Sequence, residues 1–239
     1  MCTLEKRGCI FFLTLTGDDE HRLSPTLIDT ILAALRRVRA EATIGSALVT
    51  TADGKFFSNG FDLKWAKAAG PDFMDRVHHM VAKFDRVVAD LISLPMPTVA
   101  AVTGHAAAAG FMLALSHDYV HMRKDRGVLY MSELDIGLAF PDYFMALLRS
   151  KVGAPTARRE VALRAAKIRA EEAVGMGIID AAHDTAEETV EAAVRRAEEL
   201  ADRKWKGEVY ASIRKATFAE VSETLGLVEK KTTVAAARL

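Results

Sequence analysis

Two glycine-marked corners, about fifty residues apart, each lead into an apolar helical run. One is Phe56-Phe57-Ser58-Asn59-Gly60-Phe61-Asp62-Leu63. The other starts at Val102-Thr103-Gly104-His105 and passes through four alanines to Gly110. A helix start leaves backbone N–H groups without partners and carries the positive end of the helix dipole. Two such starts brought together supply two aimed donors for an oxygen on which negative charge develops. Exposed aromatics gain nothing at a surface turn. Phe57 and Phe61 therefore mean either that a ligand lies beside the first corner or that the rings pin it to the core. The alanines at 106–109 suit either close approach of a ligand to the backbone or tight helix packing.

Other chemistries lack their carriers. No G-x-G-x-x-G follows a strand, and there is no P-loop, H-E-x-x-H or G-x-S-x-G. The seven histidines do not cluster. His78 and His79 are adjacent and so lie on different sides of a helix, which reads as a solvated pair. His105, in an apolar turn, reads as a satisfied core histidine. Cys2 and Cys9 suggest neither a disulfide framework nor a zinc site, so a reducing compartment and no bound metal are expected.

Lys plus Arg and Asp plus Glu number 32 each, so no overall field draws the chain to nucleic acid, although a local basic patch is compatible with that balance. Hydrophobic content of 50% with 27% charged is ordinary for a globular chain of 239 residues. Residues 91 to 117 carry no Asp, Glu, Lys or Arg, long enough to cross a bilayer. Pro95, Pro97, Gly104, His105, Gly110 and many alanines argue instead for a buried strand, turn and helix, and no membrane insertion is expected.

The elements that position the corners alternate in type. Ile10–Thr16 reads as a strand. Ser24-Pro25 gives an N-cap with proline at the first helical position, and Leu27, Ile28, Ile31, Leu32, Leu35 and Val38 recur at helical spacing. Ser46–Thr50 reads as a buried strand, and a short helix after the first corner breaks near Gly70-Pro71. A long helix then runs over 74–92, ended by Pro95. Thr98–Val102, Tyr119–Met122, Val128–Met131 and residues 177–180 read as strands, with a buried helix over 108–115. Beyond Pro155 helices dominate. Val190, Val194, Ala197 and Ala201 form one stripe, and Val209, Ile213 and Ala216 suggest another. This third is expected to pack on the core or on another subunit, and the βα order argues for an α/β core.

The two corners, their separation and the later Met131-Ser132-Glu133-Leu134-Asp135-Ile136-Gly137-Leu138-Ala139-Phe140-Pro141 resemble the crotonase superfamily of acyl-CoA hydratases and isomerases, over roughly residues 8 to 200. The resemblance implies a spiral of ββα repeats over 1–190, with residues 191–239 a helical region for packing or trimerisation. It implies an acyl-CoA thioester as substrate, with coenzyme A entering as part of that substrate and no separate cofactor. In that family each corner donates one N–H to the thioester carbonyl. Carried over, the donors are Phe61 and Ala109, with Ser58, Asn59, Gly60, Asp62, Leu63, Gly110 and Ser132 around the substrate. The chain departs from the pattern with Asn59 for an alanine and Ala108 and Ala109 for two glycines. Its donors survive if Ala109 adopts the needed dihedrals.

Hydratases of that superfamily carry a glutamate two residues after the glycine triplet, here Met112, and a second one retained here as Glu133. One carboxylate cannot easily position a water and also relay its protons, but it can move one proton along a chain. The resemblance thus implies a Δ3,Δ2-enoyl-CoA isomerase with Glu133 as base, and the plant peroxisomal enzymes of that kind are the nearest likeness. Asp142 is a reserve candidate for the base. A hydrolase, a hydratase or a non-catalytic CoA- or RNA-binding relative would share both corners. Phe111, Met112, Leu134 and Phe140 either dry the pocket and raise the glutamate's pKa or belong to core packing. The ending Ala237-Arg238-Leu239 resembles the tripeptide read by the peroxisomal import receptor, so a peroxisomal location is expected.

Overall fold

The computed structural model describes residues 1–228. Strands β1 (Cys2–Arg7) and β2 (Ile10–Leu15) form an antiparallel hairpin turning at Gly8, whose φ of 60° favours a residue without Cβ. Only β2 was legible as a strand, because β1 is largely exposed and charged. Helix α1 (Pro25–Ala40) is capped by Ser24, whose Oγ accepts from the Leu27 N–H at 3.2 Å, and it buries the six apolar residues its spacing marks.

There follow β3 (Ala47–Ala52), β4 (Phe56–Ser58), α2 (Leu63–Lys67), a 3₁₀ turn at Gly70–Asp72 and the long α3 (Phe73–Ser93). Next come β5 (Thr98–Val102), β6 (His105–Ala107), α4 (Ala109–Leu115), β7 (Tyr119–Arg123) and β8 (Leu129–Tyr130). The one-turn α5 (Glu133–Ile136), then α6 (Asp142–Lys151), α7 (Pro155–Ala162) and α8 (Ala170–Gly175) lead to β9 (Ala181–His183). Helices α9 (Ala186–Ala201), α10 (Gly207–Thr217) and α11 (Ala219–Thr224) complete the described chain.

From β3 onward successive strands alternate between two sheets. One has the order β1-β2-β3-β5-β7-β9, parallel except for β1, and the other is a parallel trio β4-β6-β8. This is a spiral of ββα turns, as expected. The large sheet is covered on both faces, which is why its middle strands read as continuous apolar runs. Phe11, Leu13, Leu48 and Val102 belong to the large core that also takes the buried faces of α1 and α3, while Ile10, Phe12, Val49 and Val99 meet Ala193, Ala197 and Ala201 of α9. Residue 190, the expected end of the spiral, lies within α9.

One expectation for the last third is corrected. The strand placed at 177–180 lies instead at β9, because Gly177 takes a φ of 66° and the chain turns there, with Ile178 and Ile179 buried in the bend. Of the two places open to the α10 stripe of Val209, Ile213 and Ala216, it does not take the chain's own core: all three are exposed, and α10 is held by Ala211 and Arg214. Residues 91–117 resolve into the end of α3, β5, β6 and α4, and among the described residues no helix is long and apolar enough to cross a membrane.

Candidate active site

The first corner is held by the segment before α1. Phe56 and Asn59 donate their N–H groups to the Asp19 and Glu20 carbonyls at 3.0 and 2.8 Å. Ser58, fully buried, donates its Oγ hydrogen to the His21 carbonyl at 2.8 Å and accepts from the Gly60 N–H at 3.3 Å. The Leu23 N–H donates to the Gly60 carbonyl at 2.8 Å. A trans peptide sets C=O and N–H on opposite sides, so that bond turns the Phe61 N–H away from Leu23. Among the described residues the Phe61 N–H has no protein acceptor.

The second corner is built the same way. Ala108 donates its N–H to the Tyr130 carbonyl at 2.8 Å, and its own carbonyl accepts from the Met112 N–H at 3.0 Å in the first turn of α4. The Ala109 N–H therefore points out of the helix start, again without a protein acceptor among the described residues. The unusual dihedrals fall one residue before the expected one. Ala108 has φ 50° and ψ −123°, a glycine-favouring conformation, while Ala109 is the first residue of the helix. The corners interlock: a methyl group on Gly60 would lie 3.1 Å from Ala108 Cβ and 3.5 Å from the Ala109 nitrogen, and one on Gly110 would overlap the Ser58 carbonyl oxygen.

Beside them opens a cavity of about 390 Å³. Arg22, Asn59, Phe61, Ala108, Ser132 and Glu133 line the polar end. Met74, Val77, His78 and Val81 of α3 form one apolar wall, and Ile136, Leu138, Phe140 and Phe144 the other. Phe61 stacks on Phe144, ring centroids 6.2 Å apart, and meets Phe84 edge-on at 5.6 Å, which fixes the corner against the core. The first corner's aromatics thus divide the two roles open to them: Phe57 is core, and Phe61 is both core contact and cavity wall.

Among the described residues Glu133 is the one carboxylate lining this cavity. It is 7% exposed, and its Oε2 is buried with no hydrogen-bond partner. Burial pushes its pKa up to about 7, although its own and the Ser132 backbone N–H groups pull the other way. Gly137, in the left-handed region at φ 71°, ends α5 after a single turn. This arrangement couples two free N–H donors to a carboxylate that titrates near neutrality in a largely apolar cavity, which suits proton transfer beside a carbonyl whose oxygen becomes negative.

Other expected site residues hold the site from outside. Ser58 and Gly110 lock the corners together, Gly60 sits beneath them, and Asp62 caps α2 through an Oδ1 that accepts from the Trp65 N–H at 3.0 Å. Leu63, Asn59 and Ser132 do line the cavity. Asp142, the reserve base, is exposed at the start of α6 and is not among the lining residues. Phe111 and Met112 are fully buried in the core, and Leu134 is 57% exposed, so of the four residues expected around the glutamate only Phe140 reaches the cavity. The position where a hydratase would carry its other acid is core. His105 is also corrected: it is half-buried, and its Nδ1 has no partner. The α3 wall escaped the sequence reading because the helical spacing of Val77 and Val81 signals burial without saying against what.

Residues 6–232 match the family model described as enoyl-CoA hydratase/isomerase. The chain is 62% identical over 230 residues to "Enoyl-CoA delta isomerase 2, peroxisomal" of Arabidopsis thaliana, covering 95% of this chain and 96% of that one. It is 53% identical over 236 residues to "Enoyl-CoA delta isomerase 1, peroxisomal" of the same plant, covering 98% and 97%. Its fold is similar to that of an enoyl-CoA hydratase of Mycobacterium ulcerans, with a TM-score of 0.84 at 25% identity over 95% of each chain. The spiral, the interlocked corners and these matches together make this chain a member of the enoyl-CoA hydratase/isomerase family, the crotonase superfamily.

Proposed function

We propose that the protein is a Δ3,Δ2-enoyl-CoA isomerase that moves a 3-enoyl double bond into conjugation with the thioester. The observation that carries this reading is the single carboxylate in the cavity, Glu133, with its unpartnered oxygen. The Glu133 carboxylate takes the proton from C2, and the electron pair of that C–H bond forms a C1–C2 double bond as the carbonyl π pair moves onto the thioester oxygen, giving a dienolate conjugated with the C3–C4 double bond. The Phe61 and Ala109 N–H groups hold the resulting dienolate oxygen. Glu133 then returns the proton at C4, so no atom is gained or lost and neither redox partner nor water enters. The apolar walls accept the acyl chain and keep water from the dienolate. The Arabidopsis relatives named enoyl-CoA delta isomerase support the same reaction.

The peroxisome named for those relatives is the proposed location, with import through Ala237-Arg238-Leu239, which lies outside the described residues. Residues 1–190 are proposed to carry the site and residues 191–239 to pack or trimerise, which suits the exposed Val209 and Ile213. The test is an ultraviolet assay of purified protein on trans-3-hexenoyl-CoA, following the conjugated 2-enoyl thioester, beside a second cuvette of 2-hexenoyl-CoA. Conjugation in the first without loss in the second is expected. Loss in the second alone indicates a hydratase, and silence in both points to a hydrolase or a binding protein.

A further inference from the structure

The apolar lining of the cavity does not stop where burial stops. On α3 Met74, Val77 and Val81 recur three and four residues apart, so they form one stripe along the cavity, with His78 beside it. Val77 is buried, yet Met74, one turn nearer the start of α3, is 41% exposed. Across the cavity Ile136 stands one turn beyond the buried Glu133, on the same side of α5, and is 49% exposed. Phe144, stacked on Phe61 beside the first corner, is fully enclosed. The lining thus begins on a buried floor and runs out onto a rim of Met74 and Ile136, both of which still line the cavity.

Proton transfer at C2 and C4 does not need that rim. At about 30 Å³ for a water-sized group, a cavity of about 390 Å³ holds roughly a dozen heavy atoms. A six-carbon acyl chain with its thioester fits inside. A twelve-carbon chain overruns the cavity, and its last carbons leave beside Met74, His78 and Ile136, where the lining reaches solvent. Apolar side chains gain nothing from water, but here they prolong a wall that an acyl chain already follows. Because the rim is continuous with the cavity that holds Glu133, the occupant it fits is the substrate's own tail rather than a second protein.

We infer that Met74 and Ile136 form an outer acyl subsite that selects for long chains, so that the preferred substrates are thioesters of about ten carbons or more, whose tails overrun the cavity. As a statement about turnover this rests on the isomerase reading. The experiment is titration calorimetry of the full chain with hexanoyl-CoA and dodecanoyl-CoA, saturated thioesters that have no double bond to move, below the concentration at which either forms micelles. It is repeated on Met74→Ser/Ile136→Ser and on Leu134→Ser, whose side chain is exposed nearby without lining the cavity. Each methylene laid on apolar surface adds roughly fourfold in affinity, so the parent is expected to bind dodecanoyl-CoA about tenfold or more tighter than hexanoyl-CoA. The double variant is expected to lose about tenfold for dodecanoyl-CoA and about twofold or less for hexanoyl-CoA, with neither changed in Leu134→Ser. Equal affinities for the two thioesters in the parent, an equal loss of both in the double variant, or a loss confined to Leu134→Ser overturns the inference. A double variant whose mass in light scattering differs from the parent's overturns it too, by giving the rim to a second copy of the chain. Measuring kcat/KM on trans-3-hexenoyl-CoA and trans-3-dodecenoyl-CoA keeps the two readings apart. Turnover of both, with no chain-length preference in binding, removes the outer subsite and leaves the isomerase. The binding preference, with silence on both substrates, removes the isomerase and leaves the subsite.

Discussion

At the scale of the residue, the proposed chemistry rests on one carboxyl kept neutral more readily than water would keep it. Because burial holds Glu133 near 7, the base form proposed to remove a C2 proton disappears below that pH. The expected kcat/KM profile has a single acidic limb, falling about tenfold per pH unit below roughly 7 and level above it. The same shift acts on stability. A carboxyl whose folded pKa is raised above the ordinary 4.5 contributes stability that is fully present below that value and lost as pH rises through about 7. Glu133→Gln removes that loss, so urea unfolding at pH 8 is expected to show the variant about 3 kcal/mol more stable than the parent, with the difference gone at pH 4. Glu133 became legible in the sequence only through the family resemblance, since a glutamate after a short strand is ordinarily solvated. Its unpartnered oxygen has no sequence signal at all, because it arises from walls supplied by α3 and the 136–144 segment.

At the scale of the element, the site depends on two strand-to-helix corners that fit at one spot. Gly110 has no room for a methyl group against the Ser58 backbone, so Gly110→Ala is expected to push α4 off the first corner and cost about 1–3 kcal/mol or more. Ala108→Gly acts in the opposite sense: it relieves a backbone that alanine holds at φ 50° and is expected to raise stability by roughly 1 kcal/mol in urea unfolding. Both corners could be read from glycine, asparagine and the adjoining apolar runs. Their register could not, because it is set by β4 pairing with β6 across some fifty residues of chain. The same limit explains β9. Ile178 and Ile179 look strand-like and are buried, yet they sit in a bend at Gly177, and the pairing is made by the less apolar Ala181–His183.

At the scale of the molecule, the spiral was legible in the alternation of strand and helix signals, and α9 in its alanine-rich stripe. Where α10 points was not. Arg214, 4% exposed, reaches Asp118 through Nε at 2.6 Å and donates to the Leu94 carbonyl at 2.7 Å, fixing α10 across the end of α3. That anchor leaves Val209 and Ile213 on the outside beside the half-exposed Trp205. An apolar face of this kind fits the proposed trimer. Light scattering after size exclusion is expected to give three times the chain mass for the parent and a smaller mass for Ile213→Glu; a monomeric parent would contradict the assembly.

The decisive measurement is the single-turnover rate of Glu133→Gln on trans-3-hexenoyl-CoA, with substrate affinity measured on the same preparation. Loss of the one base in the cavity is expected to slow conjugation by about 10²–10⁴-fold while affinity stays within a small factor of the parent. A variant that turns over at the parent rate would show that another group carries the proton, and the one-carboxylate mechanism would fall.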